Sequence, residues 1–488
     1  FESHEPINWC PSCQTGLANE DLESDGTCER CGSIVEKKPM RQWVLRITDY
    51  ADRLLDDLSL LDRWPEHIKE AQRNWIGKSE GSEIEFTVKG SQERIKVFTT
   101  RPDTIFGVTY MVLAPEHELV KKLAYSNTEE VEEYVVKSQR RSEMDRLDET
   151  KEKTGVLLRG VSVVNPANGE EIPLFVADYV LAHYGTGAIM AVPAHDERDY
   201  AFARKFALPV RKVITHSGNA RGVDSIPLLR WLANNLWYTR TVITTNPGTL
   251  INSGEFNGME SEKAKEVITE KVGGTIASTY RLNDWVFSRQ RYWGEPIPIV
   301  HCKTCGAVPV PEDQLPVTLP DVENYEPTGT GESPLAHIDE WVHTSCPTCG
   351  KEGKRETNTM PQWAGSSWYY LRFIDPNNND AFIDPEKERQ WMPVNVYVGG
   401  DHAVRHLIYA RFWHKVLFDL GYVSTEEPFT RLEFLGFILA EDGRKMSKRW
   451  GNVINPDEIV KTNGADAMRV YEMFMSPFEN TTAWSTDR

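Results

Sequence analysis

Two lysines and a serine in the stretch Arg444-Lys445-Met446-Ser447-Lys448-Arg449-Trp450-Gly451-Asn452, with Gly443 and Gly451 on either side, compose a loop suited to gripping a triphosphate. Nucleotidyl transfer builds negative charge on phosphate oxygens, and cations on a loop that can close are the main means of stabilising it. A short Lys-rich turn is equally at home as solvated surface, so the rest of the chain has to decide.

The eight cysteines fall into four Cys-x-x-Cys pairs with none left over: Cys10/Cys13, Cys28/Cys31, Cys302/Cys305 and Cys346/Cys349. Two intervening residues let both thiolates of a knuckle face one tetrahedral metal, and a second knuckle completes four ligands. The natural pairing joins Cys10/Cys13 to Cys28/Cys31, a zinc-ribbon spacing. It joins Cys302/Cys305 to Cys346/Cys349 across a longer loop, where a metal-free remnant is the alternative. Four thiolates leave no position open for water, so both Zn2+ sites are expected to be structural, stapling flaps that lack a core of their own.

His402 and His406, four apart after Gly399-Gly400-Asp401, share one face of an apolar helical run. They line a site or are helix-face histidines satisfied by neighbours. Trp363-x-x-Ser366-Ser367-Trp368-Tyr369-Tyr370 taken alone is an aromatic core segment, and Thr99-Thr100-Arg101-Pro102-Asp103-Thr104 a strand entering a proline turn.

The elements that must position these residues follow from periodicity. Apolar spacing predicts a helix over Gln42 to Leu61 and a second from Trp64-Pro65 through Gln72. From Glu83 the pattern turns to strands, with Ile84 to Val88 and Ile95 to Thr99 alternating at period two. This β-rich domain continues through helix-prone Glu129 to Thr150 and apolar Leu174 to Ala182, closing near Leu282. From Tyr292 come Gly and Pro punctuation and the second cysteine flap. Strand Val394 to Val398, helix His402 to Leu420 and strand Arg431 to Ala440 then form half of a doubly wound nucleotide fold, the other half being expected before residue 1.

At 488 residues the chain suggests three or four units. It has no apolar run near the ~20 residues that span a bilayer and no cleavable leader, so a cytoplasmic protein with no membrane partner is expected. A formal charge of −18 argues against a broad basic surface for nucleic acid and confines any RNA contact to local Lys/Arg clusters.

Six blocks, taken in order, resemble the leucyl-tRNA synthetases, which are class I aminoacyl-tRNA synthetases. They are Arg73-Asn74-Trp75-Ile76-Gly77-Lys78-Ser79-Glu80-Gly81; Thr99 to Thr104; Tyr184-Gly185-Thr186-Gly187-Ala188 through Ala194-His195-Asp196-Glu197-Arg198-Asp199; Ser288-Arg289-Gln290-Arg291-Tyr292-Trp293-Gly294; Ser366 to Tyr370; and the lysine loop. The sister enzymes for valine and isoleucine share the layout but are expected to carry Trp-Trp-Gly in place of Tyr292-Trp293-Gly294, which favours leucine.

The resemblance implies an α/β chain: part of a Rossmann-type catalytic domain, an inserted β-rich editing domain and zinc-ribbon flaps. The expected division is a zinc flap at 1–38, a helical catalytic part at 39–82, editing at 83–282, a return to the catalytic domain at 283–300, a second zinc flap at 301–355 and the second Rossmann half at 356–488. Members of the family join leucine to ATP, with Mg2+, to form leucyl adenylate, then pass the leucyl group to tRNA(Leu). Lys448, and secondarily Lys445, match the catalytic lysines, with Ser447 between them. Gly399, Gly400, His402 and Lys448 would border ATP, while Trp363, Ser366, Tyr369, His402 and His406 would frame leucine. Arg449 stands where the family usually has Ser, and the stretch between Gly400 and His402 is one residue short. The HIGH signature is expected upstream of Phe1 and an anticodon-binding domain after Arg488, so this chain alone is expected not to activate leucine.

A hydrophobic pocket discriminates one methylene by only about 1–3 kcal/mol, which is the reason for a second, hydrolytic site. By resemblance Thr99 and Thr100 supply hydroxyls beside the scissile ester, Thr104 obstructs correct leucine, and Asp199 pairs with the α-ammonium of the substrate, with His195 and Asp196 beside it. Attack by a positioned water is expected. Segment His216 to Pro247 fits the family poorly and is expected to have low order. The rivals are a free-standing editing hydrolase, a valine- or isoleucine-specific sister enzyme, and a zinc-ribbon RNA-binding module that the acidic charge disfavours. Partners are expected to be tRNA(Leu), leucine and ATP, and the protein a monomer.

Overall fold

Alternation at period two builds the largest sheet of the computed structural model. Strand β1 (Ser79–Val88) buries Ser82, Ile84, Phe86 and Val88, and β2 (Arg94–Thr99) buries Ile95 and Val97. The two pair antiparallel from Ser82↔Thr99 to Thr87↔Arg94. The structure describes all residues except 5, 19–20, 24–25, 140–145, 147–150, 183–184, 217–242, 324, 327, 329–330, 400–401, 448–449 and 487–488. Contacts group them into two units: Phe1–Asp21, Lys38–Ile76 and Leu282–Arg488 in one, Leu22–Lys37 and Gly77–Arg281 in the other.

In the second unit, β3 (Tyr110–Leu113), β4 (Val156–Val164), β5 (Glu171–Val176), β6 (Ala188–Ala191) and β7 (Thr275–Thr279) complete a seven-stranded sheet. Its order is β6-β3-β5-β4-β1-β7, with β2 also paired to β1. Only the β3–β5 pairing is parallel. The sheet opens at Ser79, ahead of the Glu83 expected from sequence. Residues 79–83 pair with β7 through backbone bonds and carry mostly polar side chains, so they show no apolar alternation. All four residues of β3 are buried: Met111 and Leu113 join the core of Ile84 and Phe86, whereas Tyr110 and Val112 pack with Phe175 and Phe202 on the other face. Helix α1 (Glu197–Lys205) supplies Phe202, stacked on Tyr110 at 5.1 Å between ring centroids.

In the first unit, β8 (Val394–Gly399) and β9 (Phe429–Phe434) pair parallel from Val394↔Phe429 to Gly399↔Phe434, joined by helix α2 (His406–Asp419). This is the expected strand–helix–strand unit, except that the helix begins at His406 and the second strand runs over Phe429–Phe434 instead of Arg431 to Ala440. Residues 402–405 form a turn in which the N–H groups of Arg405 and Leu407 both return to the His402 carbonyl, at 3.3 and 3.2 Å. Leu407 and Ala410 pack with Tyr370, Leu371, Phe429 and Leu432. The helix expected over Gln42 to Leu61 is instead a strand, Gln42–Leu45, followed by short helical turns from Ile47 to Leu60. The reason is tertiary: that strand sits between Glu2–Ser3 and Trp285–Val286, burying Gln42 and Val44 at period two. The second predicted helix forms at Glu66–Ile76, with Ile68, Gln72 and Ile76 buried along one face. Among the described residues no helix is long and apolar enough to cross a membrane.

Candidate functional site

Because β3 and β6 run antiparallel, the start of one lies beside the end of the other, with the Thr109 N–H on the Ala191 carbonyl at 3.2 Å. The turns carrying Thr99 to Thr104 and His195 to Asp199 therefore come to the same end of the sheet. Two consecutive residues tie both turns down. The Arg101 guanidinium donates to the Thr245 carbonyl at 2.6 Å, and His195 Nδ1 lies 2.8 Å from the Thr244 carbonyl. His195 Nε2 accepts the Val213 N–H at 3.0 Å, so the proton sits on Nδ1, and burial holds the ring below its ordinary pKa, in the neutral form. Thr244 is buried, so this end of the segment expected to be loosely ordered is packed; residues 217–242 lie outside the described ones.

The Thr99 hydroxyl accepts the Arg101 N–H at 3.0 Å, and Thr100 is exposed. Arg101 pairs through Nε and Nη2, each at 3.0 Å, with buried Asp103. Thr104 is wholly buried and donates its hydroxyl to the Arg101 carbonyl at 2.7 Å, which fixes its rotamer.

Asp196 caps α1, its Oδ1 accepting the N–H groups of Arg198 and Asp199 at 2.8 and 3.1 Å. The cap sets the helix phase so that Asp199, Phe202 and Ala203 face the core. Asp199 is 4% exposed; its Oδ2 accepts the Val192 N–H at 2.8 Å and its Oδ1 lies 3.4 Å from the Tyr179 hydroxyl. Burial, and then the nearby Asp196 carboxylate, push its pKa up to about 8. It is a neutral acid at pH 7 until a cation comes against it. The sequence reading missed Tyr179, which lies in an irregular apolar run after β5 with no periodic signal.

Around the N-terminal end of α2 the structure gathers Trp363, Ser366, Tyr369, His402 and His406. Ser366 Oγ is 3.3 Å from His406 Nδ1. The Trp363 ring meets His402 at 5.3 Å, and His406 lies between Tyr369 at 5.9 Å and Tyr397, stacked at 5.6 Å. Burial, then His402, push the His406 pKa down to about 4, so it too is neutral. Gly399 closes β8; Gly400 lies outside the described residues.

The lysine loop is laced by Asn452, which accepts the Ser447 N–H at 2.9 Å and donates to the Lys445 carbonyl at 3.3 Å. The Lys445 ammonium sits 4.4 Å over the Phe437 ring. Lys448 and Arg449 lie outside the described residues. Asn452 is part of the motif, yet its role in holding the loop is not readable from residue type alone.

The ligand atoms of Cys302, Cys305, Cys346 and Cys349 lie within 4.8 Å of one another. The second quartet joins two hairpins, Ile299–Cys302 with Gly306–Pro309 and His343–Ser345 with Glu352–Arg355, in one four-stranded sheet. Cys302 and Cys349 sulfurs are 3.6 Å apart, against about 3.8 Å for the edge of a tetrahedron around zinc. The Thr304 amide N–H donates to the Cys302 sulfur at 3.4 Å, which favours the thiolate that a metal would bind. Donor set and spacing both fit zinc. Glu2, His301 and Glu356 also cluster within 4.8 Å, but Arg41 pairs with both glutamates, and that group is an ion-pair knot.

Comparison with known proteins agrees with this layout. Residues 73–273 match the family model for the editing domain of leucyl-tRNA synthetase, and residues 260–485 match that for class I tRNA synthetases (I, L, M and V). A leucine–tRNA ligase of Elusimicrobium minutum (strain Pei191) is 52% identical over 524 aligned residues, covering 99% of this chain and 60% of the relative. The crystal structure of a leucyl-tRNA synthetase from Agrobacterium radiobacter K84, in a ternary complex with tRNA and LeuAMS, aligns with a TM-score of 0.81 at 39% identity, over 99% of this chain and 56% of that one. The chain thus spans about 60% or less of the length of either relative. With the editing-domain and class I matches following one another along the sequence, and a leucine–tRNA ligase 52% identical across 99% of it, the chain belongs to the leucyl-tRNA synthetase family.

Proposed function

We propose that this chain serves a leucine–tRNA ligase that activates leucine with ATP, transfers it to tRNA(Leu) and hydrolyses tRNA carrying the wrong aliphatic amino acid. The supporting observation is the meeting of the Thr99–Thr104 and His195–Asp199 turns at one end of the sheet, inside the stretch matching the editing domain. In this reading the editing domain occupies 83–282 and the catalytic domain 39–82, 283–300 and 356–488, with flaps at 1–38 and 301–355. Zinc, when bound by the two cysteine quartets, cross-links those flaps.

In the editing pocket the α-ammonium of the aminoacyl group comes against Asp199 and restores its charge, forming a charge-assisted contact in a site from which water is largely excluded. The hydroxyls of Thr99 and Thr100 flank the ester. Thr104, its rotamer held by Arg101, presents fixed bulk against the branched leucine side chain. Water adds to the ester carbonyl carbon, the bond to the ribose oxygen breaks, and the proton passes to that oxygen, leaving free amino acid and intact tRNA. In the activation pocket, neutral His406 donates or accepts hydrogen bonds without competing for phosphate charge, which falls to Lys445 and Lys448.

Hydrolysis of isoleucyl- or norvalyl-tRNA(Leu) tests the reading. Thr104→Ala is expected to extend hydrolysis to correct leucyl-tRNA(Leu). Unchanged hydrolysis by Asp199→Ala would overturn the role given to that carboxyl.

A further inference from the structure

Gln72, on the helix Glu66–Ile76, is 0% exposed, and both ends of its amide are committed. Its Oε1 accepts from Arg411 Nη1 at 2.8 Å, and its Nε2 donates to the backbone carbonyl of Ala403 at 2.9 Å. Ala403 follows His402 in the turn that delivers His406 to the start of α2. Arg411, on that same helix, is fully buried and gripped by Glu427 through Nε at 2.9 Å and Nη2 at 2.7 Å. Glu427 also accepts from the fully buried Lys415 at 2.7 Å, and Lys415 pairs in turn with Asp57. Arg53 also pairs with Asp57 and, beyond it, with Asp419, so three cations meet three carboxylates and the knot is neutral; removing Glu427 strands the buried Arg411 charge.

We propose that Gln72 is a positioning residue for the activation pocket: the Arg411–Glu427 knot orients its amide, and the amide holds the His402–Arg405 turn by the Ala403 carbonyl. The choice of residue follows from hydrogen-bond inventory. Arginine can only donate and a carbonyl can only accept, so a group between them must offer an acceptor on one side and a donor on the other. A planar amide does this, and the arginine fork leaves it one orientation. A glutamate of the same shape keeps the bond to Arg411 but sets a carboxylate oxygen against the Ala403 carbonyl. A methionine keeps the volume and loses both bonds. A buried amide acting only as filler would tolerate the methionine.

The inference rests on the reading that His402 and His406 border the adenylate pocket, and the test separates the two. Amide hydrogen exchange over residues 402–407 and calorimetric binding of the non-hydrolysable leucyl sulfamoyl adenylate are measured on a full-length synthetase carrying this chain for wild type, Gln72→Glu and Gln72→Met, with circular dichroism confirming the fold. Both variants are expected to exchange faster across the turn and to bind the analogue at least tenfold more weakly, while norvalyl-tRNA hydrolysis is unchanged. Wild-type binding with equal affinity in the variants sinks the inference alone, as does unaltered exchange at the turn. Failure of the wild type to bind the analogue overturns the pocket reading and takes the inference with it. If Gln72→Glu does not fold, Gln72→Met carries the same comparison.

Discussion

The carboxyl of Asp199 accepts the N–H of Val192 at 2.8 Å, which ties the first turn of α1 to the residue after β6. A carboxyl so placed has a pKa of about 8, so the fold holds a proton that the unfolded chain releases at an ordinary value near 3.8. Its contribution to stability is therefore complete below pH 4 and is lost as pH climbs toward 8. Asp199→Asn, isosteric and uncharged, is expected to escape that loss, so the two melting curves should separate progressively between those limits. For hydrolysis the sign is opposite. Wild-type kcat/KM on norvalyl-tRNA should rise about tenfold per pH unit below 8, because the ionised form pairs with the ammonium; the asparagine variant should be slower and flat.

His195 braces three backbone segments with one ring, and its replacement by Phe strands the Val213 N–H and the Thr244 carbonyl. The cost is expected to be about 1–3 kcal/mol in chemical denaturation. Because burial lowers its pKa, its stabilising effect is present above the free imidazole value, about 6.5, and lost as pH falls through the lower folded value. The acid limb of the stability curve should therefore be shallower in the Phe variant. His195→Gln, which can both donate and accept, should recover part of the stability at neutral pH.

Gly81 is required by a close approach. A Cβ there would lie 2.3 Å from the Thr99 carbonyl oxygen, a backbone atom that cannot rotate away. Gly81→Ala must push β1 from β2 just where Thr99 and Thr100 leave the sheet. A loss of about 1–3 kcal/mol is expected in melting experiments, with norvalyl-tRNA hydrolysis reduced at least tenfold. Unaltered hydrolysis would mean that the position of Thr99 is not critical.

Elemental analysis of the purified chain is expected to find two zinc ions, and Cys346→Ser to reduce the count to one. A strong chelator should open 299–310 and 343–355 to proteolysis, because besides the cysteines their hairpins bury only a few small apolar side chains such as Val300, Val308 and Val310. Protection that survives metal removal would assign the flap's stability to other contacts.

The strands at Ile84–Val88 and Ile95–Thr99 were legible in the sequence because one face of each is buried, which leaves a clean alternation. The cysteine quartets were legible because a knuckle is a local device. Gln42–Leu61 misled because its apolar spacing suits a helix, while its real neighbours, Glu2–Ser3 and Trp285–Val286, are distant along the chain. The His402 turn was hidden for a similar reason: the bond from Gln72 crosses more than three hundred residues. The inward aim of Asp199 depends on Asp196 capping α1, which sets helix phase by geometry that residue types alone do not reveal.

The four residues of β3 answer to two separate cores, odd and even positions going to opposite sides. A slide by a single residue would present each core with the side chains sized for the other, so neither could fill. This strand thereby acts as a ruler whose zero is fixed from above and below. Variation in length among relatives should collect in the connections that leave the sheet and stay out of the short path from Thr99 to Leu113.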